Sequence, residues 1–187
     1  MHILQDLWMP IVASAVFVFV VSAVLHMVLP IHKSDFTSLP NEEKVLSSLR
    51  SLGVGPGAYM FPHCSSMKEM SSPEMKARLE QGPVGTLIVR GRDGVNMGKA
   101  LMQWFLFTLV VGVAIAFLAG TTLQHGAHYT HVFHLVALAA FLAYGFSSVT
   151  DSIWKGVPWS TTFKFLFDGA IYALVTAGTF GWLWPAA

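Results

Sequence analysis

The sequence predicts an all-α integral membrane protein, with four transmembrane helices and a cytoplasmic helical cap between the first and the second. Hydrophobic residues make up 54% of the chain and charged residues 11%, whereas a soluble domain carries about 25% charged residues. Four apolar segments are long enough to cross roughly 30 Å of bilayer hydrocarbon, which takes about 20 helical residues. The basic residues also fall on one side of these segments only, which predicts how they are oriented.

The four predicted spans share a central part without any charged side chain. They lie at residues 7–29, 98–120, 130–149 and 161–184. In lipid such segments must be helical, because every backbone N–H and C=O group has to be hydrogen-bonded within the chain. The N-terminal MHILQDLW has no basic region and the apolar run after it is too long for a signal peptide, so we expect the first span to be retained.

The eleven basic residues predict that both termini lie outside, an N-out/C-out topology. Lys155 and Lys164 lie at the connection between spans three and four, and the other nine lie at or between the first two spans. The positive-inside rule therefore places residues 30–97 and 150–160 in the cytoplasm and both termini outside, in the periplasm if the source is a Gram-negative bacterium. The nine are Lys33, Lys44, Arg50, Lys68, Lys76, Arg78, Arg90, Arg92 and Lys99.

Residues 30–97 are predicted to form a cap on the membrane face, because they are too many for a turn and too few for a robust core. Helices are expected where a capping residue precedes, and a glycine follows, a run with helical periodicity. The glycines at 53, 55 and 57 neither follow a strand nor open a helix, which excludes a nucleotide-binding loop. The predicted elements are helices at Pro40–Leu52 and Ser72–Gly82, strands at Tyr59–Phe61 and Thr86–Arg90, and a turn at Arg92-Asp93-Gly94.

Two spans contain small residues at every fourth position, a spacing that lets helix backbones approach closely in lipid. We call them the span-two stripe and the span-four stripe. Both are expected to be packing interfaces, and the sequence leaves open whether they join helices within the chain or contact a partner subunit. The span-two stripe is Gly112, Ala116 and Gly120, and the span-four stripe is Gly169, Ala173, Ala177 and Gly181.

Four histidines recur at every third residue between spans two and three: His125, His128, His131 and His134. We call them the outer histidine repeat. Successive members are rotated by about 60° around a helix, so at most two adjacent ones converge on one ion. His125, His128 and His131 are candidate metal ligands, and the alternative is that they suit a solvated turn at the membrane interface. His134 lies inside the span, where it could ligate a haem iron or a (bacterio)chlorophyll magnesium held by a neighbouring subunit.

The cytoplasmic ends of two spans also contain ionisable residues. His26 lies near the end of span one, and His32 follows Pro30. Both are too far from the outer histidine repeat to share a haem iron with it. Lys164 and Asp168 are four residues apart, and we expect them to form an ion pair on one helix face, with a proton-relay acid as the alternative for Asp168.

Four stretches resemble a group of small bacterial four-helix inner-membrane proteins that has no assigned activity. The likeness runs from the first span to the C-terminus. It implies a bacterial integral membrane protein and carries over no catalytic residues. The stretches are LPIHKSDFTSLPNEEKV, AYMFPH, GPVGTLIVRG and PWSTTFKFLFDGAIYALVTAGTFGWLWP.

The sequence favours a non-catalytic accessory subunit of a larger bacterial membrane complex, with a photosynthetic or respiratory assembly as its natural host. We expect partner membrane subunits and lipid around it, no cofactor of its own and no nucleic acid. The chain shows no arrangement of nucleophile, base and acid, no HExxH motif and no phosphate loop. The alternative is a stand-alone metal- or haem-binding membrane protein that uses the outer histidine repeat. A transporter lacks support, because no span is broken at its middle and no inverted repeat is evident.

Overall fold

The computed structural model describes residues 3–91 and 96–187, so the predicted turn at residues 92–94 lies outside the described residues. The structure is 71% helical. By length and composition, four helical segments can cross a membrane: Trp8–Val28, Met97–Thr122, Tyr129–Lys155 and Trp159–Trp182. The prediction of a multi-pass helical membrane protein is confirmed at this level.

The described chain divides into two compact units. The membrane unit contains residues 3–35, 96–152 and 157–187, and the cap unit contains residues 36–91 and 153–156. Residues 30–35, which the sequence assigned to the cap, therefore pack with the spans.

The first span changes its helix type toward its end. Helices α1 (Ile3–Asp6) and α2 (Trp8–Ala23) are followed by a π-helical turn at Val24–Val28, in which the Leu29 N–H donates to the Val24 carbonyl at 3.0 Å. Leu29 is extended, at φ −83° and ψ 140°, because the ring of Pro30 disfavours a helical conformation in the residue before it. A short 3₁₀ helix at Pro30–Ser34 then begins on that proline, which is suited to a first helical position.

The cap unit contains three helices and a two-stranded antiparallel sheet. The strands include most of the two predicted segments, and they pair with Tyr59 opposite Leu87. The Ser72 hydroxyl accepts from the Met75 N–H and caps the helix that begins at Pro73. The elements are α3 (Glu42–Ser51), β1 (Gly57–Phe61), α4 (Met67–Met70), α5 (Pro73–Gln81) and β2 (Gly85–Val89).

The rest of the membrane unit consists of long helices joined by short connections. The Asn96 side chain caps the first of these by accepting from the Lys99 N–H at 3.0 Å. Pro158 precedes the last helix, at a position where a backbone N–H, which proline lacks, would have no acceptor within the helix. The helices are α6 (Met97–Thr122), α7 (Tyr129–Tyr144), α8 (Ser147–Lys155), which is shared with the cap unit, and α9 (Trp159–Trp182).

The span-two stripe packs against the first span of the same chain. A Cβ atom added to Gly112 would lie 3.4 Å from Ile11, and one added to Gly120 would lie 2.9 Å from Ile3 and 3.4 Å from Leu7. Ala116 between them is fully buried. The sequence left the partner of this stripe open, and the structure assigns it to α1 and α2.

The span-four stripe packs against the third span in the same way. A Cβ atom on Gly169 would lie 2.7 Å from the Gly145 Cα, and one on Gly181 would lie 2.6 Å from the Tyr129 ring. Ala173 and Ala177 are buried, at 3% and 0% exposure. The sequence left open whether this stripe joins helices within the chain or contacts a partner subunit, and in the structure Tyr129 and Gly145, at the two ends of α7, lie against it.

This packing predicts a position-specific effect of adding one methyl group to α9. Gly169→Ala should lower the free energy of unfolding by about 1–3 kcal/mol, because the new Cβ meets backbone that cannot move aside. Gly178→Ala is the matched control on the same helix, since its Cβ would have no neighbour closer than 4.0 Å. Thermal unfolding in detergent compares the two, and equal midpoints would contradict the packing.

Candidate metal centre

Two histidines and a buried carboxylate converge in the membrane unit. Asp168 Oδ2 lies 2.9 Å from His32 Nε2 and 3.7 Å from His26 Nε2. The two imidazole rings stack in parallel, with centroids 4.2 Å apart and planes 7° apart. Within residues 3–91 and 96–187, this is the one group of three His, Cys, Asp or Glu side chains whose ligand atoms all lie within 4.8 Å of one another.

The change of helix type in the first span brings the two histidines together. On a regular α-helix, residues 26 and 32 would point about 120° apart. Here His26 lies on the π-helical turn and His32 lies on the 3₁₀ helix beyond the extended Leu29. π-Helical turns within α-helices are found frequently at functional sites. The irregular backbone therefore directs both rings toward Asp168 on α9.

The hydrogen bonds made by Nδ1 determine which nitrogen of each ring carries the proton. His26 Nδ1 lies 3.2 Å from the Ser22 carbonyl oxygen, and His32 Nδ1 lies 2.6 Å from Asp35 Oδ2. A carbonyl and an ionised carboxylate only accept, so each Nδ1 must be the protonated donor. In the neutral rings each Nε2 then carries the lone pair, and both Nε2 atoms lie within 3.7 Å of Asp168 Oδ2.

Asp168 is buried without a matching hydrogen-bond donor. It is 2% exposed, and neither of its oxygens has a hydrogen-bond partner among the described residues. His32 Nε2 is close to it but is not aligned for a hydrogen bond and is itself unsatisfied. A buried charge in this state is costly. Two unprotonated nitrogens close to a carboxylate repel it, and a cation, either a proton or a metal ion, relieves this repulsion.

Lys164 pairs with a different carboxylate from the one the sequence suggested. Its Nζ donates to Asp35 Oδ1 at 2.6 Å and to Ser34 Oγ at 2.8 Å. Burial raises the pKa of Asp35, but the hydrogen bonds from Lys164 and His32 outweigh it and hold that pKa below its usual range. The expected ion pair of Lys164 with Asp168 is thus wrong, because the 3₁₀ helix supplies a nearer acid.

The outer histidine repeat lies elsewhere in the membrane unit, and all four of its side chains are exposed. His125 Nε2 lies 3.4 Å from Asp6 Oδ2, and the His128 and His131 ring centroids are 6.2 Å apart. His128 caps α7, where its Nδ1 lies 3.4 Å from the Thr130 N–H. His134 packs against Phe133. The proposed metal and haem roles of these residues stay predictions.

The sequence interpretation missed the convergent site although it noted three of its members. It considered His26 and His32 only as haem ligands, and it did not single out Asp35. The available signal was Asp168 itself, since an ionisable residue within a membrane span marks a functional site by default. Its partners depend on the first span being irregular after residue 23, which hydropathy does not reveal.

The fold and the site define a multi-pass α-helical membrane protein with a two-histidine, one-carboxylate cluster at the end of its first span. Comparisons with known proteins found no match, whether to a family model, a curated protein or a solved structure. The resemblance of the sequence to a bacterial inner-membrane group therefore stays a prediction.

The ion pair next to the site predicts a stability effect. Lys164→Ala should lower the free energy of unfolding by about 1.5–3 kcal/mol, because it leaves the buried Asp35 carboxylate without its cation. Lys33→Ala removes an exposed lysine two residues from the same aspartate and serves as the control. Chemical unfolding in detergent measures both, and a Lys164 variant as stable as the control would contradict the role of the pair.

Proposed function

We propose that this chain is a membrane protein that binds a divalent first-row transition-metal ion through His26, His32 and Asp168. The observation that supports it is the convergence of two imidazole Nε2 atoms and a buried carboxylate oxygen within 4.8 Å. Imidazole and carboxylate together suit ions such as zinc, iron and manganese. This proposal departs from the sequence-based expectation that the chain has no cofactor of its own.

The number of ligands favours a site with free coordination positions. Three protein ligands are typical of catalytic zinc sites and of two-histidine, one-carboxylate iron sites, whereas structural zinc sites use four. The His26 side chain is 41% exposed, while His32 and Asp168 are 12% and 3% exposed. An ion here would therefore be reached from the His26 side and would keep positions for water or another small ligand.

Metal titration of the purified chain tests this proposal. Wild-type protein in detergent should bind one Co(II) ion, with a visible absorption band that reports nitrogen and oxygen ligands. Asp168→Asn and His32→Ala should abolish the band, because each removes one of three ligands, whereas His128→Ala should leave it unchanged. Binding that survives Asp168→Asn but is lost with His128→Ala would refute this site and would support the outer histidine repeat instead.

We also propose that the protein lies in a bacterial inner membrane with both termini in the periplasm. The support is the distribution of basic residues, which leaves the N-terminus, the connection after α6 and the C-terminus without Lys or Arg. The metal site would then lie toward the cytoplasmic side. The accessory-subunit hypothesis concerns partners rather than this site and stays a prediction from the sequence.

Cysteine labelling checks this orientation, since Cys64 is the one cysteine of the chain. In a Cys64→Ser background, Ser65→Cys in the cap unit should resist a membrane-impermeant maleimide in intact spheroplasts and react after lysis. Gln124→Cys, in the connection after α6, should react before lysis. Both positions are exposed, so the difference reports the side of the membrane. The reverse pattern would overturn the orientation and the cytoplasmic location of the site.

A further inference from the structure

We infer that Asp35 is a positioning residue for the metal site: it holds the His32 ring so that Nε2 of that ring faces the ion. The inference rests on the proposed function. It adds a residue that does not touch the ion and acts through the opposite nitrogen of the ligand ring. Lys164 in turn holds Asp35, so the site has an outer layer built from the 3₁₀ helix and α9.

Each oxygen of Asp35 has its own partner. Oδ2 accepts from His32 Nδ1 at 2.6 Å, and Oδ1 accepts from Lys164 Nζ at 2.6 Å. Lys164 also donates to Ser34 Oγ at 2.8 Å, and the Asp35 side chain is 4% exposed. The carboxylate is therefore held from both sides, and it cannot turn away from the imidazole without breaking the ion pair.

The two histidines differ in how firmly they are held. His26 Nδ1 faces a neutral backbone carbonyl at 3.2 Å, whereas His32 Nδ1 faces a charged carboxylate at 2.6 Å. Hydrogen bonds to ionised groups are shorter and roughly twice as strong as neutral ones. The His32 ring also packs against Phe165, with centroids 5.6 Å apart. His32 is thus the anchored ligand, and His26 is the one free to move when the ion enters or leaves.

A carboxylate behind a metal-binding histidine fixes the tautomer of the ring and makes its other nitrogen a stronger donor to the ion. Loss of such an outer partner typically weakens metal binding by about 10–100-fold. The effect of Asp35 should therefore appear in metal affinity and in the state of the His32 ring. Ser34 contacts Lys164 but does not lie between Asp35 and the ion. Its removal should therefore change neither the metal affinity nor the state of the His32 ring.

Zinc binding by the full-length chain in detergent tests the inference. Asp35→Asn should weaken zinc binding by about 10–100-fold at an unchanged stoichiometry, and Ser34→Ala should stay within about threefold of wild type. Nitrogen-15 NMR of histidine-labelled, zinc-loaded protein gives a readout that a general loss of stability would not produce. Wild-type His32 should keep its proton on Nδ1 and bind zinc through Nε2.

The outcomes separate the inference from the proposed function. If wild-type protein binds no zinc, the proposed metal site fails and the inference fails with it. If wild type binds zinc but Asp35→Asn binds it equally well, only the role of Asp35 is overturned. Should Asp35→Asn not fold, the wild-type spectrum still decides, because zinc ligation through Nδ1 of His32 would refute the inference.

Discussion

A carboxylate buried in an apolar, membrane-spanning helix imposes the strongest constraint on this molecule. Asp168 is 2% exposed, and a charge in such surroundings persists only beside groups that compensate it. The nearest such groups, His26 and His32, come from the end of the first span. The residue after Asp168 is Gly169, whose close contact with Gly145 fixes the position of α9 on the third span. Asp168 is therefore placed by the packing of α9 on the third span, and the irregular backbone of the first span brings the two imidazoles to it.

As a regular helix, the first span could not bring both His26 and His32 close to Asp168. Its π-helical turn shifts His26, and the extended Leu29 before Pro30 redirects the chain so that His32 stacks on His26. The short 3₁₀ helix then places Asp35 against Lys164 of α9. Pro30 thus contributes to the site, because the residue that ends the helix also lets His26, His32 and Asp35 all reach side chains of α9.

The elements that the sequence predicted are those that depend on local pattern. Four spans follow from hydropathy, and the helix at Pro73 follows from its capping serine. The choice of partners did not follow, because Lys164 could pair with an acid four residues away or with one 129 residues away, and only the packed structure decides between them. The span-four stripe illustrates the same limit: small residues permit close approach to any helix, within the chain or outside it. The proximity of His26 and His32 could not be predicted, because it depends on a π-helical turn and an extended Leu29 between them, which hydropathy does not reveal.

The two sets of histidines differ in what each would lose without an ion. The outer histidine repeat is exposed, so its imidazoles can be hydrated and need no ligand to be stable. His32 Nε2 and both oxygens of Asp168 are buried and unsatisfied among the described residues, and burial of such groups is costly unless a cation joins them. Asp35 strengthens this requirement, because by accepting a hydrogen bond from His32 Nδ1 it leaves the lone pair on Nε2, which lies 2.9 Å from the Asp168 carboxylate. A proton or a metal ion removes that repulsion, and the ion alone also engages His26. The need for a cation therefore arises at the inner cluster, where the groups that would bind it already lie within 4.8 Å of one another.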